Sequence, residues 1–188
     1  MHAAKFFDKT TITTVVPNRY LERPSLPSLI FPGTLKVESP IKAIEQAYKE
    51  STVAKLDVNR IVLWTDGSGC QSGKQGLAFA WRYSEAYGWG PWEAFGYKAT
   101  GANVSSTDME FLAVIKALDW ASEVTQKRLK SINAVAIYTD AQGVIEALRQ
   151  NSYKRPLALH VVKRAAKLIR LAVSDVSIHW VPGHSKVK

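Results

Sequence analysis

The chain has 188 residues, 46% hydrophobic and 22% charged, with a formal net charge of +9. It is long enough to bury a real core as one domain with an extension, and its cationic surplus suits a polyanionic partner such as nucleic acid. The single cysteine, Cys70, excludes an internal disulfide framework and a cysteine-rich zinc site.

The N-terminal residues "MHAAKFFDKTTITTVVPNRY" hold no apolar stretch of signal-peptide length, and no later run approaches a membrane span. The expectation is an intracellular protein, nuclear or cytoplasmic, not secreted and with no membrane partner. Up to Asn59 the sequence is rich in proline between residues 17 and 32 and lacks periodicity until "PIKAIEQAYKESTVAKL". There Ile41, Ile44, Ala47 and Tyr48 form the stripe of a short amphipathic helix. Residues 1–59 thus read as a Pro-rich, linker-like arm with one helix, ahead of a domain over 60–188.

From Arg60 strands and helices alternate compactly. "IVLWTDGSG" is an apolar run that ends in an acidic, Gly-rich turn; "GLAFAWRY" and "PWEAFGYKAT" follow across the turn-forming "SEAYGWG". Short connections make these three strands antiparallel. "STDMEFLAVIKALDWASEV" keeps Met109, Leu112, Ala113, Leu118, Ala121 and Val124 at helical spacing, with Ser105, Ser106 or Thr107 available as cap. "INAVAIYTDAQ" is a buried-type strand, "AQGVIEALRQN" a helix, and "PLALHVVKRAAKLIRLAV" a helix with proline at its start. "VSIHWVPGH" is a last strand. The order βββαβααβ predicts an α/β fold, a mixed five-stranded sheet with helices packed on it.

Two strands end alike, "LWTDGS" at Asp66 and "IYTDAQ" at Asp140. Ligands of α/β sheets collect outside the carboxyl ends of strands, so these acids converge if their strands are neighbours. Glu110 lies in the first turn of the following helix. Three carboxylates gathered in one place repel and titrate upward unless a cation sits among them. Hard divalent ions such as Mg²⁺ take oxygen ligands, and two of them serve phosphodiester hydrolysis. Each acid taken singly also has a structural reading, as turn former, helix cap or dipole partner; it is their joint occurrence in this order that favours a site.

"TDGSG", the acid in "DMEFLAVIKAL", "YTDAQGVIEAL" and "WVPGH" together resemble the ribonuclease H family, which cleaves the RNA strand of RNA–DNA hybrids. The resemblance covers about residues 60–188, in the family's order. The ending "HWVPGHSKV" and the Pro-rich arm look most like the ribonuclease H segment of fungal non-long-terminal-repeat retrotransposon polyproteins. It implies a ribonuclease H-like fold, with Asp66, Glu110 and Asp140 as ligands of Mg²⁺, or Mn²⁺, in a two-metal endonuclease. His184 matches the histidine that assists water attack or product release. Gln142, the backbone of Gly67 and Ser68, and the hydroxyls of Ser106 and Thr107 would contact nucleic acid.

Two departures stand out. Ser106, Thr107 and Asp108 replace Asn-rich contacts, and Asp108 adds negative charge where phosphate must come. In the family a fourth acid follows the histidine on a final helix, whereas this sequence ends at Lys188. The resemblance therefore implies a missing final helix, an uncovered apolar sheet face and a weakened second metal. The alternative function is a catalytically impaired nucleic-acid-binding remnant, and the remainder of a longer polyprotein is a further partner.

Lys163, Arg164, Lys167 and Arg170 form a basic stripe, preceded by Lys154 and Arg155. This is either the solvated face of an amphipathic helix or a phosphate-binding surface. His179, between Ile178 and Trp180, reads as a strand residue on the second sheet face. Tyr87, Trp89 and Trp92 read as hairpin packing, with base stacking as the alternative.

Overall fold

The computed structural model describes residues 11–15, 30–52, 59–69, 75–85, 88–100, 104–127, 132–150 and 156–183. His184, Cys70, Lys154, Arg155 and Tyr87, and the side chain of Trp89, fall outside the described residues. The predicted antiparallel strands are β3 (Arg60–Gly69), β4 (Gln75–Glu85) and β6 (Glu93–Thr100), with a short β5 (Gly88–Trp89) paired back onto β4. Helix α2 (Ser106–Lys127) then crosses to β7 (Ala134–Thr139), which runs parallel to β3. Helices α3 (Gln142–Arg149) and α4 (Pro156–Arg170) lead to β8 (Asp175–Trp180), parallel to β7. Parallel neighbours need such crossovers because a tight turn cannot reverse the chain twice.

The expectation of five strands is corrected at both edges. Among the described residues β1 (Thr11–Val15) pairs in parallel with β6, and β2 (Thr34–Lys36) in parallel with β8, giving the order β1-β6-β4-β3-β7-β8-β2. An edge strand presents unpaired amide and carbonyl groups, and segments ahead of Arg60 satisfy them on both sides.

Alternation along the strands separates two faces. Ile61, Leu63, Leu77, Phe79, Ile137 and Ile178 turn to the main core, where they meet Met109, Leu112, Ile115 and Leu118 of α2. α2 is buried on more than one side because α4 packs against it, with Val161, Ala165 and Leu168 inside. The second face carries Val62, Ala136, Tyr138 and Val181 and packs against Ala47 of α1 (Pro40–Thr52). The helix of the N-terminal arm thus covers part of this face.

The expected stripe of α1 holds at Ala47 and is corrected at Ile41 and Tyr48. Ile41 and Tyr48 are 72% and 53% exposed, while Ala43, Ala47 and Glu50 are buried. The rings of Trp64, Tyr138 and His179 stack across the sheet at centroid separations of 5.0 and 4.6 Å and fill the space below, so small residues make the close approach. His179, as expected, is a buried strand residue, its Nε2 2.9 Å from Ser177 Oγ. Trp92 packs beside this cluster with the Arg82 guanidinium 4.6 Å over its ring, whereas Tyr87 and the Trp89 side chain, named with it in the packing reading, lie outside the described residues.

Burial pushes the Tyr138 phenol up from its ordinary value of 10.0, and nearby Glu50 adds to this, against smaller opposing effects of Arg60 and Gln46. A folded value above the unfolded one means that the contribution is complete below about pH 10 and is lost as pH rises beyond it. Tyr138→Phe should therefore flatten the fall of stability above pH 10. Chemical denaturation at pH 8 and pH 11 would check this; an unchanged pH dependence would contradict it.

Candidate active site

The register places Thr65 opposite Thr139 on the parallel pair β3–β7, so Asp66 and Asp140 leave neighbouring strands side by side. Both threonines are buried; Thr139 Oγ1 accepts the Ala141 amide at 3.2 Å and fixes the turn after Asp140. Asp66 and Asp140 are themselves exposed. They line one open cavity of about 340 Å³, together with Trp64, Val181, Pro182 and Gly183.

Glu110 reaches the same end of the sheet through a close backbone approach. A Cβ on Gly67 would collide with the Met109 carbonyl and come within 2.5 Å of the Glu110 amide nitrogen. Only glycine lets α2 lie this near the strand end. Gly67→Ala should cost about 1–3 kcal/mol by overpacking against backbone that cannot step aside. A urea midpoint measurement checks this, and a wild-type midpoint would contradict the close packing.

Ser105 is the residue that caps α2. Its Oγ accepts the Asp108 amide at 3.1 Å, and Asp108 Oδ2 accepts the Ser105 hydroxyl at 2.7 Å and amide at 3.2 Å. The Asp108 charge is therefore engaged at the helix start. Thr107 lies beside Gly143 at the start of α3, since a Cβ on Gly143 would stand 3.8 Å from its methyl group. Gln142, exposed, opens the same helix. A Cβ on Gly69 would stand 3.4 Å from Ser106, so Ser68, Ser106, Thr107 and Gln142 border the end of the sheet that carries the acids.

The three acids surround one region, yet their side chains do not form one cluster. Among the described residues no group of three or more His, Cys, Asp or Glu stands close enough to hold a metal ion. Asp66 and Asp140 are exposed and Glu110 is half-buried, so the carboxylates border the region without being gathered at one point. In donor chemistry the residues nonetheless suit a hard divalent cation, since each offers carboxylate oxygens only.

The basic stripe behaves differently from its sequence pattern. Arg164 Nε bonds Asp119 Oδ1 at 2.8 Å, roughly 13 Å along α2 from Glu110. Lys163 and Arg170 are exposed and Lys167 is half-buried. One member is thus tied into helix packing, a pairing that sequence spacing gave no means of seeing. The groove beside Asp66 that ends at Lys98 was also missed, its only signal being glycine inside a strand.

A mixed sheet with acids at the carboxyl ends of adjacent parallel strands, and a third acid on the helix against them, is an open α/β ligand site. The RNase H family model matches residues 58–188, and the chain belongs to the ribonuclease H family. Among solved structures it is similar to RNase H1 from the halophilic archaeon Halobacterium salinarum NRC-1. That match has 21% identity over 66% of this chain and 86% of the other, with a TM-score of 0.46. It is similar also to the N-terminal RNase H domain of rv2228c from Mycobacterium tuberculosis, at 19% identity over 67% and 84%, TM-score 0.46. LC11-RNase H1 in complex with RNA/DNA hybrid is 14% identical over 65% and 86%, with a TM-score of 0.44. No curated protein matches. Among the described residues no helix is long and apolar enough to cross a membrane.

Proposed function

We propose that the chain is a metal-dependent endonuclease that hydrolyses the RNA strand of RNA–DNA hybrids. The observation that carries this reading is the pairing of Thr65 with Thr139, which sets Asp66 and Asp140 on one cavity, with Glu110 brought against Gly67. Family membership supplies the reaction class. Asp66, Asp140 and Glu110 would hold Mg²⁺, or Mn²⁺, as a two-metal site. When bound, such ions activate water and stabilise the charge on the leaving oxygen.

The chain's own residues orient the substrate around that chemistry. Ser68, Ser106, Thr107 and Gln142, with the Gly67 backbone, would meet the 2′-hydroxyls and backbone of the hybrid, the feature that separates RNA from DNA. His184 would carry a proton at the water or the leaving group. Lys163, Lys167 and Arg170 would add long-range attraction for phosphate.

Residues 60–188 form the nuclease unit in this reading, and the motif "HWVPGHSKV" supports a retroelement origin and a polyprotein context. Intracellular action, nuclear or cytoplasmic, follows from that origin. The test is a substrate panel of RNA–DNA hybrid, duplex RNA, duplex DNA and single-stranded RNA at equal concentration with Mg²⁺. Cutting confined to the RNA strand of the hybrid is expected. Equal cutting of duplex RNA would contradict the assignment.

A further inference from the structure

The second face of the sheet continues beyond Asp66 into a groove that the acids do not fill. Across β3, β4 and β6 the register aligns Asp66 with Ala78 and Gly96, and Ser68 with Gly76 and Lys98. Residues paired across antiparallel strands point to the same face, so both rows lie on the side of Asp66. The groove has a volume of about 310 Å³, with Asp66 and Ser68 at one end, Gly76, Ala78 and Gly96 as its floor, and Lys98 at the other.

Among the described residues, packing gives no reason for Gly96. A Cβ placed there would meet nothing within 4 Å, and its φ lies outside the left-handed region. A glycine inside a strand costs roughly 0.5–1 kcal/mol relative to alanine, and commonly marks a place where another backbone approaches closely. Lys98 is exposed, as an approaching anion requires. By strand spacing and rise its Cα stands roughly 12 Å from that of Asp66, too far to share one phosphate and suited to a neighbouring one.

We infer that this groove seats the sugar–phosphate backbone of the strand being cut, with the Lys98 ammonium on a phosphate displaced from the scissile one. The inference rests on the nuclease reading above and adds a positioning residue to it. Lysine supplies a point charge at the end of a flexible stem, and the glycine floor leaves room for the sugar edge. Attraction at Lys98 also offsets repulsion between Asp66 and the incoming phosphates.

The test uses the full chain and an RNA–DNA hybrid. Binding is measured by fluorescence anisotropy in chelator across a salt series, and cleavage in Mg²⁺. Lys98→Gln should lower the slope of log K against log salt by about 0.7–0.9, the share of one phosphate contact. It should raise KM while leaving kcat in place, and Lys98→Arg should restore the slope. Gly96→Val should keep or raise the melting temperature yet weaken hybrid binding about tenfold, a loss of about 1.4 kcal/mol. Cleavage with both variants indistinguishable from wild type would overturn the groove and leave the nuclease reading standing. A lost slope in a chain that binds without cutting would sustain the groove while the nuclease reading fails. A wild-type chain that binds no hybrid would overturn both.

Discussion

Asp66→Asn is expected to reduce hybrid cleavage by well over 100-fold while binding in chelator stays equal or tightens. Losing a neighbour that only supports a metal ligand typically costs 10–100-fold, so loss of a direct ligand should exceed that range. Asp66 stands at the centre of the proposed site. Its strand pairs with the one that carries Asp140, its successor Gly67 touches the Glu110 backbone, and both cavity and groove include it. Asparagine keeps the size and one oxygen but removes the charge that draws a cation. Binding should not suffer, because a carboxylate repels phosphates and its neutralisation relieves that repulsion. Single-turnover kinetics beside an anisotropy titration separate the two effects. Parallel losses in both would indicate a folding defect.

Glu50→Gln is expected to destabilise the fold by about 3 kcal/mol, the low end for breaking a buried ion pair, since Arg60 keeps a second partner. Glu50 is 1% exposed, and its Oε1 lies 3.1 Å from Arg60 Nη2. Arg60 also lies 3.9 Å from Asp175, an exposed carboxylate. The Glu50 carbonyl accepts a hydrogen bond from Arg82, which burial holds below the ordinary arginine value against the raising effect of Glu50. Glutamine fills the same space, so the loss would be one of charge and not of packing. Denaturant midpoints measure it, and a change under roughly 0.5 kcal/mol, as for an ordinary surface site, would contradict the role given to Glu50. The same reasoning makes α1 part of the fold's stability although it precedes the proposed nuclease unit.

The elements that carry the acids were legible because each has a long, regular pattern or a sharp end. Apolar positions from Met109 to Val124 keep one helical period, and the two "TD" endings mark strand termini. β1 and β2 were not legible, being five and three residues long and set beside prolines that disguise them. The buried stripe of α1 was misread at Ile41 and Tyr48 because hydrophobicity favours them, whereas the helix turns Ala43, Ala47 and Glu50 inward. Arg164 fitted both readings of the basic stripe, solvated face or phosphate surface, because Asp119, 45 positions away, cannot be seen as its partner in one dimension. Gly67 was legible as part of a motif, but its reason, the approach of α2, lies in tertiary packing.

The most direct measurement is cleavage of an RNA–DNA hybrid labelled separately on each strand, by the 188-residue chain in Mg²⁺ and in Mn²⁺. An excess of chelator and the Asp66→Asn chain serve as controls. The account predicts a cut RNA strand, an intact DNA strand and no product in either control. RNA cleavage that persists in chelator or in Asp66→Asn would contradict the metal site. A saturated but uncut hybrid in both metals would leave a nucleic-acid-binding protein in place of an enzyme.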